Sequence, residues 1–120
     1  MWKKYKNHRI HTGCEVFDSK KEFRRWQELL LLQEQGIITD LRRQVKYVLI
    51  PAQREKETVS PRGRMRPGKV IEREVAYYAD FVYQENGETV VEDTKGMRTD
   101  AYILKRKMLL YFYGIQIREI

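Results

Sequence analysis

Apolar positions recur with helical spacing in two stretches of the chain, and each stretch has residue types typical of helix ends. Residues 18–36, DSKKEFRRWQELLLLQEQG, predict a first helix with Ser19 as N-cap and Gly36 at its C-terminal end. Residues 99–114, TDAYILKRKMLLYFYG, predict a second helix that begins at Thr99 or Asp100 and ends at Gly114. The predicted apolar stripe of this second helix consists of Leu104, Met108, Tyr111 and Phe112.

Strands are predicted between and after these helices, where β-branched and aromatic residues are concentrated. They cover residues 45–50, 75–84, 89–95 and 115–120, so the elements follow the order α-β-β-β-α-β. Asn86–Gly87 favours a two-residue type I′ turn between the second and third strands, because both central residues of that turn have positive φ. The length of 120 residues fits one domain of the α/β class.

Two segments fall outside this pattern. Residues 1–17 are predicted to form an irregular basic arm. Residues 51–74 contain all three prolines of the chain and predict a long exposed loop or a protruding hairpin. A solvated loop with no specific role remains an alternative for this second segment.

The charge balance indicates a polyanionic partner. The chain has 24 Lys and Arg against 17 Asp and Glu, which gives a net charge of +7 and favours nucleic acid over a membrane surface. No apolar run is long enough to span a membrane, and the N-terminus has no apolar stretch typical of a secretory signal. The single cysteine, Cys14, suits a reducing compartment, so we expect a cytoplasmic protein.

The predicted hairpin brings acidic residues together. A two-residue turn pairs Glu85 with Glu88 and therefore sets Asp80 directly opposite Asp93, unless a bulge shifts the register. Alternation along the strands predicts one shared face, formed by Tyr78, Asp80, Val82, Val91, Asp93 and Lys95. Opposed carboxylates repel one another, but a hard divalent cation reverses the sign of that interaction. The pair therefore predicts a metal site, with the Lys95 ammonium beside it.

Glu22 is a candidate third acid, because Trp26 at i+4 puts it near the edge of the buried side of the first helix. It also has a purely structural interpretation as the capping-box partner of Ser19. Asp80 has the alternative of a solvent-facing strand residue, and Asp93 with Lys95 could form a surface ion pair. Glu92 is expected to face the other side of the sheet unless the strand bulges.

These residues resemble the catalytic set of the PD-(D/E)XK nuclease superfamily: an acid on a helix, an Asp on the second strand, then Asp-x-Lys on the third. The positions are Glu22, Asp80 and DTK, residues 93–95. More narrowly, four stretches resemble the DUF1064-type phage and prophage proteins, which are related to Holliday-junction resolvases: FDSKKEFRRWQEL, YYADFVY, VVEDTKG and YILKRKMLLYFYG. Two departures are Asp93 in place of the commoner Glu, and Ala79 in place of the proline before Asp80.

The resemblance implies a restriction-endonuclease-like αβββαβ core with a mixed central sheet flanked by helices. It implies a phosphodiester-cleaving DNA endonuclease that acts on branched DNA in phage recombination or replication, as a homodimer. One or two Mg²⁺ or Mn²⁺ ions would be held by Asp80, Asp93 and Glu22, and Lys95 would position the attacking water. A non-catalytic DNA-binding accessory protein on the same scaffold is the alternative, and the residues do not separate DNA from RNA.

Contacts with nucleic acid are expected from basic side chains outside the acidic set. Arginine-rich segments bind phosphates without reading bases, so we expect recognition of shape rather than sequence. Lys105 lies in the run KRK and is equally consistent with a solvated helix face. The candidate residues are Arg24, Arg25, Arg62, Arg64, Arg66, Lys69 and Lys105.

Overall fold

The computed structural model describes residues 9–12, 15–94 and 96–120. Lys95 and most of the predicted N-terminal arm lie outside these residues. The helices of the described part are α1 (Lys20–Glu34) and α2 (Asp100–Tyr113). The strands are β1 (Ile10–Thr12), β2 (Glu15–Phe17), β3 (Thr39–Ile50), β4 (Gln53–Arg54), β5 (Thr58–Val59), β6 (Met65–Arg66), β7 (Val70–Glu72), β8 (Val75–Glu85), β9 (Glu88–Asp93) and β10 (Arg118–Glu119).

A four-stranded mixed sheet forms the centre of the molecule. Its strand order is β10-β9-β8-β3, in which β10 runs parallel to β9 and the other neighbours are antiparallel. The parallel pair requires a crossover, and α2 supplies it between β9 and β10. The predicted α/β class with a mixed sheet and two helices is therefore confirmed.

Both helices begin and end at the residues that the sequence indicates. The Ser19 hydroxyl accepts a hydrogen bond from the Glu22 N–H at 3.1 Å, and Gly36 has a φ of 77° just beyond the last turn of α1. The Thr99 hydroxyl caps α2, and Gly114 ends that helix in the left-handed conformation. Neither helix of the described part is long and apolar enough to cross a membrane.

The predicted hairpin register is confirmed. Asn86 and Gly87 have φ values of 52° and 78°, as a type I′ turn requires. The β8–β9 pairing runs from Glu85 with Glu88 to Phe81 with Glu92. The prediction holds because the turn has positive φ at two positions, and Asn and Gly are the residues that accept it most readily.

The side chains of β8 change faces between Ala79 and Phe81. Tyr77 and Ala79 belong to the same buried cluster as Val82, together with residues of α2, whereas Phe81 and Tyr83 pack against α1 and Ile38. Strict alternation would put Ala79 and Val82 on opposite faces. The predicted common face through Tyr78, Asp80 and Val82 is therefore wrong, because the strand turns over at Asp80.

The buried side of α2 differs from the predicted stripe. Tyr102 and Leu109, seven residues apart, face the sheet, while Leu104, Tyr111 and Phe112 are exposed and Met108 is half-buried. Both faces of α2 carry apolar residues, so helical spacing does not select one of them. Contacts with the sheet and with β10 determine which face of α2 is buried. One of them is the hydrogen bond from the Tyr102 hydroxyl to Glu119.

Residues 10–12 and 15–17 form a short antiparallel pair, β1 with β2, within the segment that the sequence predicted to be an irregular arm. The pair is anchored by Phe17, which is buried and contacts the rings of Phe23 and Trp26 on α1. The burial of this aromatic side chain therefore holds β2 against α1.

Residues 51–74 contain two nested antiparallel pairs, β4 with β7 and β5 with β6. The strands approach each other very closely below the tip: a Cβ atom on Gly68 would lie 1.8 Å from the Glu55 carbonyl oxygen. The Glu55 N–H donates to the Lys69 carbonyl at 2.9 Å, which fixes the two strands at this point. A residue with a side chain at position 68 would force them apart.

A buried ionic network joins α1 to β9. Glu92 is 0% exposed, and its carboxylate accepts from Arg25 Nε at 2.8 Å and Nη2 at 2.7 Å. The Tyr83 hydroxyl also donates to Glu92. Burial and this carboxylate raise the pKa of Tyr83 to about 12, so the hydroxyl keeps its proton at neutral pH. The bonds to Glu92 likewise raise the pKa of Arg25, which remains charged.

Arg25→Ala should lower the free energy of unfolding by about 3–5 kcal/mol at neutral pH, because it removes the cation that faces a buried carboxylate. The double variant Arg25→Met with Glu92→Met should lower the free energy of unfolding by less than Arg25→Ala, since neither charge of the pair remains. Arg24→Ala changes the neighbouring exposed arginine and should stay within about 0.5 kcal/mol. Urea unfolding measures all three; equal losses for Arg24→Ala and Arg25→Ala would contradict this account.

Candidate functional site

Two carboxylates meet where β8 changes faces. Glu22 on α1 is 3% exposed, and Asp80 on β8 is half-buried. The side-chain nitrogen of Gln44 on β3 donates to Glu22 Oε1 and to Asp80 Oδ1, each at 3.2 Å. One neutral amide group therefore bridges two acidic side chains from different elements.

Glu22 combines a capping role with a place in this cluster. Its Oε2 accepts from the Asp18 N–H at 3.3 Å, while its own N–H donates to Ser19. Burial raises the pKa of Glu22 above the ordinary value, and the nearby charge of Asp80 raises it further. Ser19 thus caps the helix as predicted, but Glu22 accepts from the N–H of Asp18 rather than from that of Ser19, so the reciprocal bond of a capping box is not formed. Its other carboxylate oxygen accepts from Gln44, so the cap does not exclude a functional role.

Arg43 partly offsets the negative charge of Glu22. Its Nη2 lies 3.2 Å from Glu22 Oε1 and 2.9 Å from the Val16 carbonyl oxygen, and its guanidinium lies 3.9 Å from the centre of the Phe17 ring. The hydrogen bond from Arg43 lowers the pKa of Glu22, opposing the effect of burial. The ring and the carbonyl hold the guanidinium in place beside the acid.

Asp80 fastens the end of β9 to β8. Its Oδ2 accepts from both the main-chain N–H and the hydroxyl of Thr94, each at 2.8 Å. Thr94 follows Asp93 directly, so these bonds hold the start of the loop after β9 against the acidic cluster. A half-buried carboxylate with three donors is well satisfied in the folded protein.

Asp93 has different partners from Asp80. It is 1% exposed, and its Oδ2 accepts from the Tyr77 hydroxyl at 2.5 Å, within the cluster that packs against α2. Burial and this bond raise the pKa of Tyr77, so Tyr77 remains the donor. We predicted that the two aspartates project from one face; instead Asp80 bonds Gln44 and Thr94, while Asp93 bonds Tyr77. Lys95 lies outside the described residues.

The predicted nucleic-acid contacts divide into two groups. Arg25 donates to Glu92 and Glu28, so its guanidinium is engaged within the protein. Lys105 is half-buried on α2. The exposed candidates are Arg24 on α1, Arg62, Arg64 and Arg66 at the tip of the hairpin, and Lys69 just below the tip. No acidic residue lies between Glu57 and Glu72, so the tip presents positive charge alone.

Sequence reasoning missed Arg43 and Gln44, because it began the strand at Val45. The signal was present in the run RRQV: polar residues at the start of an otherwise apolar strand, next to a strand with a central Asp. It also assigned no partner to Glu92, which faces α1 and bonds Arg25 there. The adjacent Asp93 bonds Tyr77 on the α2 side, so the two acids face opposite sides of the sheet, as expected without a bulge.

The donor set of the cluster suits a hard divalent cation. Mg²⁺ is commonly held by one or two carboxylates, with waters and substrate phosphates completing its shell. The carboxylates of Glu22 and Asp80 provide such a pair, and burial together with the charge of Asp80 raises the pKa of Glu22. Within residues 9–12, 15–94 and 96–120, no three acidic, His or Cys side chains converge as a ready metal cage. The residues therefore fit an ion that the substrate also helps to bind.

Comparison with known proteins gives one match. The family model described as "Protein of unknown function (DUF1064)" matches residues 2–119. No curated protein and no solved structure matches the chain significantly. Since the match covers almost the entire sequence, the chain belongs to the DUF1064 family.

Proposed function

We propose that this DUF1064 protein is a Mg²⁺-dependent DNA endonuclease with a restriction-endonuclease-like core. The observation that carries the proposal is the pair of carboxylates, Glu22 and Asp80, that share the amide nitrogen of Gln44. Two acids held this close in a partly buried place repel one another when both are ionised. The element order and the mixed sheet agree with the fold that the sequence resemblance implies.

Glu22 and Asp80 would hold the metal, and Asp93 on the neighbouring strand β9 is the third acid of the proposed set. A bound Mg²⁺ would supply a water of lowered pKa and neutralise charge on the scissile phosphate. The Lys95 ammonium would orient that water and offset the negative charge that develops on the phosphate. Arg43 favours the ionised form of Glu22, and Tyr77 holds the Asp93 carboxylate in one orientation.

The hairpin tip would provide the electrostatic contact with DNA. Its exposed arginines are spaced every second residue, at Arg62, Arg64 and Arg66, and suit a run of phosphates. We propose a branched substrate such as a four-way junction, as the resemblance to junction resolvases implies. Two strands of a junction must be cut, so the proposal includes a homodimer with one site in each subunit.

Cleavage is the direct test of this function. Purified protein with Mg²⁺ should cut a four-way junction, a fork or linear duplex, and leave 5′-phosphate and 3′-hydroxyl ends. Asp80→Asn and Lys95→Ala should each lower the single-turnover rate by at least about 100-fold, because each removes a group from the reaction centre. Labelled strands resolved on denaturing gels give the rates and the cut positions.

Asp40→Asn is the matched control, because Asp40 is an exposed residue of β3 and the same chemical change there should leave the rate unaltered. If no substrate is cut in Mg²⁺ or Mn²⁺, the proposal is wrong. DNA binding that persists in the wild type and in Asp93→Asn, without cleavage, would then favour a non-catalytic accessory protein.

Glu22 should leave a signature in the pH dependence of stability. Its pKa is raised in the folded protein, so its contribution is fully present below about 4.5, the ordinary pKa, and is lost as pH rises through the higher folded value. Glu22→Gln should therefore reduce the fall in unfolding free energy over this pH range. Saturating Mg²⁺ should also reduce it in the wild type, because the cation favours the ionised carboxylate.

Urea unfolding at a series of pH values, with and without Mg²⁺, measures this effect. Glu34→Gln, an exposed change on the same helix, should keep the wild-type profile. Superimposable curves for wild type and Glu22→Gln would show that Glu22 does not titrate differently in the folded state.

The hairpin arginines should determine the salt dependence of DNA binding. Replacing Arg62, Arg64 and Arg66 together with Ala should weaken junction binding and reduce the slope of log K against log salt by about 0.9 for each DNA phosphate that is no longer neutralised. Fluorescence anisotropy without metal, between about 50 and 200 mM NaCl, measures both quantities. Lys107→Ala, an exposed change on α2, should have little effect; an unchanged slope for the triple variant would exclude the hairpin as the phosphate-binding element.

A further inference from the structure

The side chain of Gln44 lies at the centre of the acidic cluster and bridges its two carboxylates. Its amide nitrogen carries two hydrogens, and each carboxylate of the pair lies 3.2 Å away. These distances are at the long end of the range for N–H···O hydrogen bonds. The amide therefore satisfies Glu22 and Asp80 without holding either of them tightly.

The backbone positions this side chain in an unusual way. Gln44 has a φ of 50°, a left-handed conformation that non-glycine residues rarely adopt within a strand. On either side of it, Arg43 pairs with Phe81 and Val45 pairs with Ala79, so Gln44 lies at the level where β8 turns over. The same irregularity that redirects Asp80 thus directs the Gln44 amide toward the space between the two acids.

A primary amide has two chemically opposite ends. The –NH₂ group suits bare carboxylates, whereas the oxygen suits a hard cation, and Gln oxygens are established ligands of such ions. Rotation about the last side-chain bond exchanges the two ends without moving the backbone. A cation between Glu22 and Asp80 would be repelled by the –NH₂ group where it now lies, but not by the oxygen.

We propose that Gln44 is a metal-site residue that presents its nitrogen to Glu22 and Asp80 in the metal-free protein and its oxygen to the bound cation. This inference rests on the proposed metal-dependent function. It explains why a neutral amide occupies the position: a third carboxylate would add repulsion in the metal-free state, and an apolar side chain would leave both acids without this donor.

Metal binding to the full chain without DNA tests this role. Titration calorimetry with Mn²⁺ should show roughly tenfold or weaker affinity for Gln44→Leu than for the wild type, because an oxygen ligand is removed. Gln44→Glu should bind more tightly than the wild type at neutral pH while unfolding at a lower urea concentration without metal. Gln27→Glu adds the same charge at an exposed site of α1 and should change neither quantity.

A second measurement is made on the wild-type protein itself. In ¹⁵N-labelled wild type, the side-chain –NH₂ resonances of Gln44 should shift on saturation with Mg²⁺, because those hydrogens leave the carboxylates. The pair of signals is identified by its absence from the spectrum of Gln44→Glu.

The outcomes separate this inference from the proposed function. Equal Mn²⁺ affinity for wild type and Gln44→Leu, or unshifted Gln44 resonances in a protein that binds Mg²⁺, would overturn the role of Gln44 and leave the metal site in place. A wild-type protein that binds neither ion would overturn both.

Discussion

The register of the β8–β9 hairpin determines where the acidic groups of β9 lie. Asn86 and Gly87 close the turn, and the pairing that follows brings Glu92 beside Phe81. Adjacent residues of a strand face opposite sides of a sheet, so Glu92 and Asp93 enter different environments. A slip of one residue would exchange them, leaving Arg25 opposite the shorter carboxylate and Tyr77 opposite the longer one.

The two buried acids beside α1 are compensated to different degrees. On the α1 side, Glu92 is matched by a guanidinium and a phenol, so its burial is compensated. One turn earlier on the same helix, Glu22 has Arg43 as a partner, but burial and the charge of Asp80 raise its pKa. The same helix thus supplies Arg25, which stabilises a buried carboxylate, and Glu22, an acid with a raised pKa. Carboxyl groups whose pKa is perturbed in this way are concentrated at functional sites.

The helix ends and the β8–β9 turn could be predicted from the sequence, because each depends on one or two residues. Ser19, Thr99 and Gly114 act on the backbone next to them, and Asn86–Gly87 fixes a turn and a register together. The face of α2 could not be predicted, because apolar residues lie on both sides of that helix and tertiary contacts choose between them. The change of faces in β8 at Asp80 could not be predicted from the alternation of apolar and polar residues either. It accompanies an irregularity in the neighbouring strand β3, where Gln44 has a positive φ.

The absence of a side chain at Gly68 has a further consequence for the hairpin of residues 51–74. At Gly68 the two arms of the hairpin approach each other closely, at the Glu55 carbonyl. The residues between Ser60 and Arg66 therefore form a tip that is joined to the domain through this close contact. Insertions, deletions or substitutions within the tip change no residue of the close contact or of the central sheet. The sequence of the tip is therefore constrained by its own short strands and by Gly68, and not by the packing of the central sheet.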